Sequence, residues 1–230
     1  MNACERLLKH YSLSKGDLPG TSLRWLTAMR ESALENFTAQ GLPDANNENW
    51  KYTRITEQEE TDYGLARPLP DASIDSLVDP IKQHCTGEHC LVFVDGYYQE
   101  SLSTIGTLPE GIILSSFTQA LQEHPQLIAS ALGKTASYQD NPFTALNTAL
   151  ISDGVFLWAL ENSRVAQPIH CLFLSSAGEQ PVASHPRLLL VLKKNAQLTL
   201  VEQHIDISRL NSAAGDSEQA EASHNLSNTV

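Results

Sequence analysis

The chain has 230 residues and a mass of 25.2 kDa, with 15 lysines and arginines against 27 aspartates and glutamates. Its formal charge of −12 and pI near 5.0 disfavour binding to DNA, RNA or anionic membranes, because the protein would repel phosphate groups. Hydrophobic residues form 41% of the chain and charged residues 18%, which excludes a disordered protein, and no apolar run reaches the ~20 residues of a membrane-spanning helix.

The N-terminal segment and the cysteines predict the compartment. The run MNACERLLKHYSLSKG has no long apolar stretch and no small-residue cleavage site, so we expect no signal peptide and a cytoplasmic protein. The four cysteines fit this expectation: Cys4, Cys85, Cys90 and Cys171. We expect them to be thiols, because disulfides are rare in the cytosol.

The first forty residues carry a helical pattern. From Ser22 onward, apolar side chains recur every three or four positions, which predicts one helix with a buried face. Thr21 or Ser22 is predicted to cap its start, and Gly41 is predicted to end it. A shorter helix is expected around Cys4–Tyr11, and another over Ile74–Cys85.

The middle of the chain changes to a β pattern. Cys90–Val94 and Tyr97–Leu102 predict two strands around an Asp95-Gly96 turn, which is a strong hairpin signal. Three further elements are predicted: a strand at Gly111–Ser115, a helix over Phe117–Leu132 that Pro125 interrupts, and a helix that begins at Pro142.

From Asp153 onward the chain predicts strand after strand, at Val155–Leu160, Ile169–Leu174, Leu188–Leu192 and Leu198–Val201. Nearly continuous apolar runs are typical of strands buried on both faces, and no helical pattern separates them. Periodicity leaves a β-solenoid and a sandwich as open alternatives. The acidic stretch Asp206–His224 is predicted to be a loop. Asn225–Val230 then begins a further strand, so we expect the N-terminal portion of a longer protein.

Five segments form an ordered pattern: Glu48-Asn-Trp-Lys-Tyr-Thr53, Phe143–Ala149 followed by Asp153-Gly154, Pro168-Ile169, His185-Pro186-Arg187, and Leu198–Glu202. In order and spacing they resemble the N-terminal half of the SufB/SufD family, scaffold subunits of the SUF iron–sulfur cluster assembly machinery. The similarity is greater to the SufD branch than to SufB, and it runs through nearly all of the chain.

The resemblance implies an α+β protein, with an N-terminal helical region followed by a right-handed parallel β-helix that is truncated at the C-terminus. We expect a helical region over 1–88, a mixed connecting region over 89–150, and the start of the β-helix over 151–230 with an acidic loop at 206–224. The resemblance also implies a SufB-like paralogue and a SufC-like ATPase as partners. An iron–sulfur cluster, with FAD as an open question, then belongs to the complex, and no catalytic or cofactor-binding residue is assigned to this chain.

One cluster of metal-ligand residue types stands in the sequence. His84, Cys85, His89 and Cys90 place two imidazoles and two thiols within seven residues, and these groups are good ligands for Zn²⁺. The favoured alternative is that the thiols are buried and the imidazoles solvated, because adjacent side chains point in different directions. A small metal-binding module therefore stays a secondary hypothesis.

Other residues give weaker signals. His170 and Cys171 are neighbours in a predicted strand and should face opposite sides, whereas Glu202 and His204 should share one face and could exchange a proton. Arg187 is predicted to be solvated or structural, or to pair with Glu202 or a partner's carboxylate. A polysaccharide lyase or hydrolase on a β-helix is an alternative function. It would need grouped charges, which the strands lack before Glu202.

Two aromatic residues stand in the polar segment before the β pattern. Trp50 and Tyr52 lie among charged residues, and large aromatic side chains with a polar tip commonly pack while hydrogen-bonding through that tip. We expect both to join the helical part to the sheet, with contact to a partner as the alternative.

Overall fold

The structure is a computed structural model that describes residues 3–43, 50–52, 61–70, 73–74, 77–81, 84–85, 87–176, 180–207 and 226–227. The helices in these residues are α1 (Ala3–Ser14), α2 (Arg24–Gln40), α3 (Val78–Ile81), α4 (Phe117–Glu123), α5 (Pro125–Ala131) and α6 (Pro142–Leu150). Within this described part, every helix is too short or too polar to cross a membrane.

The strands of the described residues form three sheets. The strands are β1 (Gly64–Leu65), β2 (His89–Val94), β3 (Tyr97–Tyr98), β4 (Thr104–Ile105), β5 (Ile112–Ser116), β6 (Gly154–Ala159), β7 (Ile169–Ser175), β8 (Val182–Ser184), β9 (Arg187–Leu192), β10 (Leu200–Asp206) and β11 (Leu226–Ser227). One sheet has the order β10-β7-β2-β3, with β4 also on β2; the others are β5-β6-β9 and β1-β8-β11.

The ends of the helices follow local chemistry, with one exception to the sequence prediction. The N–H of Gly41 donates to Phe37 O at 2.8 Å, and its φ of 70° ends α2 as predicted. The predicted cap at Thr21 or Ser22 is wrong: α2 begins after Leu23, which makes no side-chain cap bond. The backbone orders this turn instead, because the N–H of Leu23 donates to Gly20 O at 2.9 Å.

Most predictions for the middle of the chain are confirmed. The predicted strand Tyr97–Leu102 is right only in its first part, because β3 covers Tyr97–Tyr98 and Glu100–Leu102 form a 3₁₀-helix. α4 ends before His124, and Pro125 occupies the first turn of α5, where its missing N–H costs nothing. Asn141 caps α6 through its side-chain oxygen, which accepts from the N–H groups of Phe143 and Thr144. Asp95 and Gly96 both take positive φ in the β2–β3 hairpin.

Consecutive strands in the second half of the chain do not pair with each other. β6 lies parallel to β9, β7 parallel to β10, and β8 parallel to β11. Gly154 is beside Arg187, 33 residues later, and Ile169 is beside Leu200, 31 residues later. The chain therefore returns to the same position after three strands. β8 lies between the strands predicted at Ile169–Leu174 and Leu188–Leu192 and was not itself predicted, because three residues are too few for a periodic signal.

Two corners of the chain lie one above the other. Asn162 and Asn195 both take a positive φ, of 62° and 59°, and the side-chain amide of Asn195 donates to that of Asn162 at 3.0 Å. Backbone hydrogen bonds also join the residues after the two corners: the N–H of Gln197 donates to Ser163 O at 3.0 Å, and the N–H of Val165 donates to Gln197 O at 2.9 Å. Asparagine suits these corners because its short polar side chain tolerates the left-handed conformation.

The core lies on both faces of the central strands. Every residue of β2 and β6 is buried, which is the arrangement that continuous apolar runs predict. The rings of Phe93 and Phe173 stack across β2 and β7 with centroids 4.9 Å apart. Fully burying such a side chain stabilises the fold by about 1.5–3 kcal/mol. β9 and β10 are only half-buried, so the last long strands bury less apolar surface than β2 and β6 do.

Only part of the last predicted elements lies within the described residues. Leu226–Ser227 form β11, which confirms a strand within Asn225–Val230. The predicted loop Asp206–His224 lies outside the described residues, apart from its first two positions.

Candidate functional site

Residues of two family-like segments meet at the end of α6. We call this place the α6 junction and define it by Asn147, Thr148, Asp153, Gly154 and Arg187. The side-chain amide of Asn147 donates to Pro186 O at 2.7 Å. The N–H of Arg187 donates to Asp153 O at 2.9 Å. These bonds fix the helix, the start of β6 and the start of β9 to one another.

Asp153 is buried and bonded to backbone on every side. One carboxylate oxygen accepts from the N–H groups of Thr118 and Gly154, each at 2.9 Å, and the other accepts from Tyr98 N–H at 3.2 Å. Burial raises the pKa of Asp153, against the opposing effect of these three N–H donors. Because both oxygens accept backbone hydrogen bonds, the carboxylate joins α4, the β2–β3 hairpin and β6.

Gly154 is where β6 and β9 come closest. Its φ of 140° is one that side chains rarely adopt, and a Cβ atom there would overlap the backbone of Arg187. The Asp153-Gly154 turn predicted from the sequence is therefore needed for the close parallel pairing.

Arg187 is a buried cation with an uncharged partner. Its side chain is only 3% exposed, and Nη2 donates to Thr148 Oγ1 at 2.6 Å. The favoured structural role of Arg187 is confirmed. The alternative pairing with Glu202 is not formed, because Arg187 points into the junction while Glu202 lies on the exposed side of β10 and contacts His204. Burial lowers the pKa of Arg187 to about 10, so the guanidinium stays charged at neutral pH.

A second buried arginine reaches the same helix end. Arg30 of α2 is also 3% exposed, and its Nη2 donates to Ile151 O at 3.1 Å. Burial lowers its pKa to about 10 as well. Carbonyl groups at a helix C-terminus carry partial negative charge, so both cations lie where the helix dipole favours them.

Sequence reasoning missed Arg30 and Thr148 as members of the junction. Arg30 does carry a signal: on the buried face of α2 it lies one helical turn after Leu26, one turn before Ala33 and two turns before Phe37. A cation on such a face predicts a buried acceptor. Thr148 has no comparable signal, because its role depends on a residue 39 positions away.

One cavity lies beside the junction, and a second shares lining residues with the first. One, of about 450 Å³, is lined by Tyr97, Asp153 and Leu18 among others, and Tyr97 donates from its hydroxyl to Ala66 O at 3.2 Å. The other, of about 460 Å³, is lined by cationic side chains, Arg6, Lys9 and Arg67, together with Asp62. Arg6 Nε lies 3.3 Å from the Asp62 carboxylate.

The side chains of the four candidate metal ligands do not converge as the ligands of a metal site would. Cys85 and Cys90 form a disulfide with their Cα atoms 5.6 Å apart, which corrects the prediction of four thiols. The bond forms because the turn after α3 and the start of β2 lie side by side. His89 and Cys90 are successive strand residues and so face opposite sides. Across the described ranges, no three His, Cys, Asp or Glu side chains are grouped so that they could hold a metal ion.

The remaining candidates lie apart from one another. Cys171 packs with Leu91 and Phe93 on one face of β7, and burial raises its pKa to about 12. The side chain of His170 lies on the opposite face of β7, as predicted. His204 Nε2 lies 2.7 Å from Glu202 Oε1, which confirms that these two share one face of β10.

The two aromatic residues of the polar segment have different environments. Trp50 packs against Phe143 of α6 with ring centroids 5.0 Å apart, which confirms that it packs. That Trp50 joins the helical part to the sheet stays a prediction. Tyr52 is 91% exposed, so its predicted packing is wrong. The other residues of Glu48–Arg54, apart from Lys51, lie outside the described residues.

Comparisons with known proteins agree on one family. A family model described as the SufBD protein N-terminal region matches residues 1–171. An iron–sulfur cluster assembly SufBD family protein of Synechocystis is 30% identical over 82% of this chain and 41% of its own length. A chloroplastic SufBD family protein of Arabidopsis thaliana is 34% identical over 79% of this chain and 26% of its own length. The iron–sulfur cluster assembly protein SufD of Bacillus subtilis is 24% identical over 79% and 41%. The chain thus spans less than half the length of these relatives.

Proposed function

The chain is a member of the SufBD family of iron–sulfur cluster assembly proteins, and we propose on that basis that it is a scaffold subunit of a SUF-type assembly complex. In this role it has no catalytic activity of its own, it works in the cytoplasm, and the cluster is built at the level of the complex. A SufB-like paralogue and a SufC-like ATPase are the proposed partners. The similarity to SufD of Bacillus subtilis supports assignment to the SufD branch.

The observation that carries the proposal is the α6 junction. The family-like residues Asp153, Gly154 and Arg187 are buried and bonded to backbone or to Thr148. They hold a helix and two strands in fixed positions. Buried residues whose contacts join several elements support a framework role. The polysaccharide-cleaving alternative gains no support, because the relatives reported above are named as cluster assembly proteins.

We further propose that the strands from β6 onward begin a right-handed parallel β-helix with three strands in each turn. The pairing of β6 with β9, β7 with β10 and β8 with β11 supports this arrangement. The stacked corners at Asn162 and Asn195 support it too, since equivalent corners of successive turns would lie one above the other. The half-buried strands β9 and β10 then offer apolar edges on which further strands or a partner would pack.

The test is affinity capture of the tagged protein from its native cells, with mass spectrometry of what accompanies it. We expect a SufB-like protein and a SufC-like ATPase at stoichiometric amounts. A tagged Gly154→Ala variant serves as a control, because it is expected to damage the α6 junction and so to lose both partners. A wild-type protein that is folded and monomeric and recovers neither partner would contradict the proposal.

A further inference from the structure

The disulfide between Cys85 and Cys90 joins two pieces of structure that are already held side by side. Cys85 follows α3 by one helical turn, and its N–H donates to Ile81 O at 3.0 Å. Cys90 lies in β2, where it is register partner to Thr104 of β4 and His170 of β7. Each cysteine is thus positioned by its own neighbours, and their Cα atoms lie 5.6 Å apart.

Apolar contacts hold the same two pieces together without the sulfur atoms. Leu77, which precedes α3, and Ile81, the last residue of α3, are buried in one cluster with Val92 and Leu172. Because these contacts do not depend on the disulfide, the two cysteines should stay close when the bond is broken. A pair of thiols held within reach of each other can close and open without rearrangement of the chain.

The two sulfur-bearing residues differ in access. Cys85 is half-buried and Cys90 is only 2% exposed. The other cysteines lack such a neighbour: Cys4 is half-buried in α1, and Cys171 is buried on the opposite face of the sheet. An external reagent therefore reaches Cys85 first, and Cys90 is placed to react second.

We propose that Cys85 and Cys90 are a reversible redox couple that clasps the α3 segment (residues 77–81 and 84–85) to β2. The couple closes by exchange with a low-molecular-weight disulfide such as oxidised glutathione, and it opens by the reverse reaction with reduced glutathione. This inference is independent of the proposed function, because it depends only on the two cysteines and the elements that hold them.

The exchange balances in two steps. The Cys85 thiolate attacks one sulfur of oxidised glutathione, which forms a mixed disulfide and releases one glutathione thiolate that takes up the proton lost by Cys85. The Cys90 thiolate then attacks the sulfur of Cys85 and releases the second glutathione, which takes up the proton lost by Cys90. The protein loses two electrons and two protons, and the oxidant becomes two molecules of reduced glutathione.

Closure should change how firmly the α3 segment is held. In the open state, apolar contacts of side chains such as Leu77 and Ile81 hold α3 on β2 without a covalent bond. In the closed state a covalent bond is added at its C-terminal end. Amides of the segment, such as those of His84 and Cys85 that donate to Ile81 O, should therefore exchange with solvent more slowly after oxidation.

The test uses the full chain with Cys4→Ser, equilibrated in glutathione buffers that range from fully reduced to fully oxidised. Free thiols are then trapped by alkylation under acid quench and located by peptide mapping. We expect the peptide that contains both cysteines to lose two hydrogens reversibly, with a midpoint that follows the square of the reduced glutathione concentration. Cys171 should remain a thiol in every buffer, and Cys85→Ser should leave Cys90 a thiol throughout.

Hydrogen exchange followed by mass spectrometry on the same samples reads out the clasp. We expect several-fold slower exchange of the α3 segment in the oxidised protein and no change in α6, which lies outside the closed loop. Two results would overturn the inference: a Cys85–glutathione adduct that never resolves to the internal disulfide, or thiols that persist in the most oxidising buffer. Equal exchange rates in the oxidised and reduced proteins would refute the clasp.

Discussion

Replacing Gly154 by alanine should destabilise the protein far more than replacing other glycines. Gly154 has a φ of 140°, and a Cβ atom at this position would overlap the backbone of Arg187. The first property strains the alanine backbone. The second forces β9 away from β6 at the point where their pairing begins.

The magnitude follows from what the displacement breaks. An unfavourable backbone conformation costs about 1–3 kcal/mol. Moving Arg187 also weakens the bond from its N–H to Asp153 O, worth about 1 kcal/mol, and the bond from its guanidinium to Thr148, worth about 1.5–3 kcal/mol. The free energy of unfolding should therefore fall by about 3–7 kcal/mol. That is a large part of the 5–15 kcal/mol that is typical of a whole domain.

Two other glycines distinguish backbone strain from steric overlap as causes of the loss of stability. Gly41 has a φ of 70° but nothing within 4 Å of a Cβ atom, so Gly41→Ala should show the backbone strain alone, about 1–3 kcal/mol. Gly16 has neither a positive φ nor a close neighbour, so Gly16→Ala should change the free energy of unfolding by less than about 0.5 kcal/mol.

Equilibrium unfolding in urea, followed by circular dichroism, measures all three variants. The expected order of stability is Gly16→Ala, then Gly41→Ala, then Gly154→Ala, with the last two at least about 2.5 kcal/mol apart. If Gly154→Ala were as stable as Gly41→Ala, the close contact with Arg187 would not exist, and the reasoning about the α6 junction would fail.

Three further predictions concern the junction, its neighbours and the stacked corners. Burial lowers the pKa of His185 to about 3, from about 6.5 when unfolded, so its contribution to stability is present above pH 6.5 and is lost as pH falls toward 3. Between pH 6.5 and 5, protonation of His185 in the unfolded state should lower the free energy of unfolding by about 2 kcal/mol. The free energy of unfolding in urea should therefore depend less on pH for His185→Gln than for the wild type, and an unchanged pH dependence would refute this. Thr148→Val should cost about 1.5–3 kcal/mol because the Arg187 guanidinium loses its acceptor, and less when combined with Arg187→Met. A double-mutant cycle measures this coupling, and additive effects would contradict it. Asn195→Ala should lower the melting temperature because alanine disfavours a φ of 59° and the bond to Asn162 is lost, whereas Asn195→Gly should lower it less. Equal melting temperatures for the two variants would contradict this reasoning.

Much of the fold follows from local sequence signals. Pro125 separates α4 from α5, Asn141 caps α6, and Asp95-Gly96 turns the β2–β3 hairpin, each through a backbone preference of one or two residues. Continuous apolar runs likewise located β6 and β7, whose faces are both buried. Such features depend on neighbours in the chain, so the sequence alone contains them.

The parts that sequence reasoning missed depend on distant residues. β1 has only two residues and exists because it pairs with β8, more than a hundred positions later. Thr148 belongs to the junction only because Arg187 reaches it. The disulfide between Cys85 and Cys90 escaped prediction for another reason: the compartment was used to assign thiols, whereas the distance between the two cysteines decides whether they can bond. The proposed boundaries at residues 88 and 150 stay predictions.

The two buried arginines at the end of α6 have a consequence for how the chain can be divided. Arg30 comes from the second helix and Arg187 from a strand far along the chain, yet both are bonded within four residues of each other, at Thr148 and Ile151. A recombinant piece that lacks either arginine loses a cation that the helix end was folded to receive. A piece that lacks the helix leaves both charges without their oxygen acceptors. We therefore expect the early helices and the later strands to unfold together. We also expect a chimera of two homologous proteins to be destabilised when α6 and either arginine come from different parents.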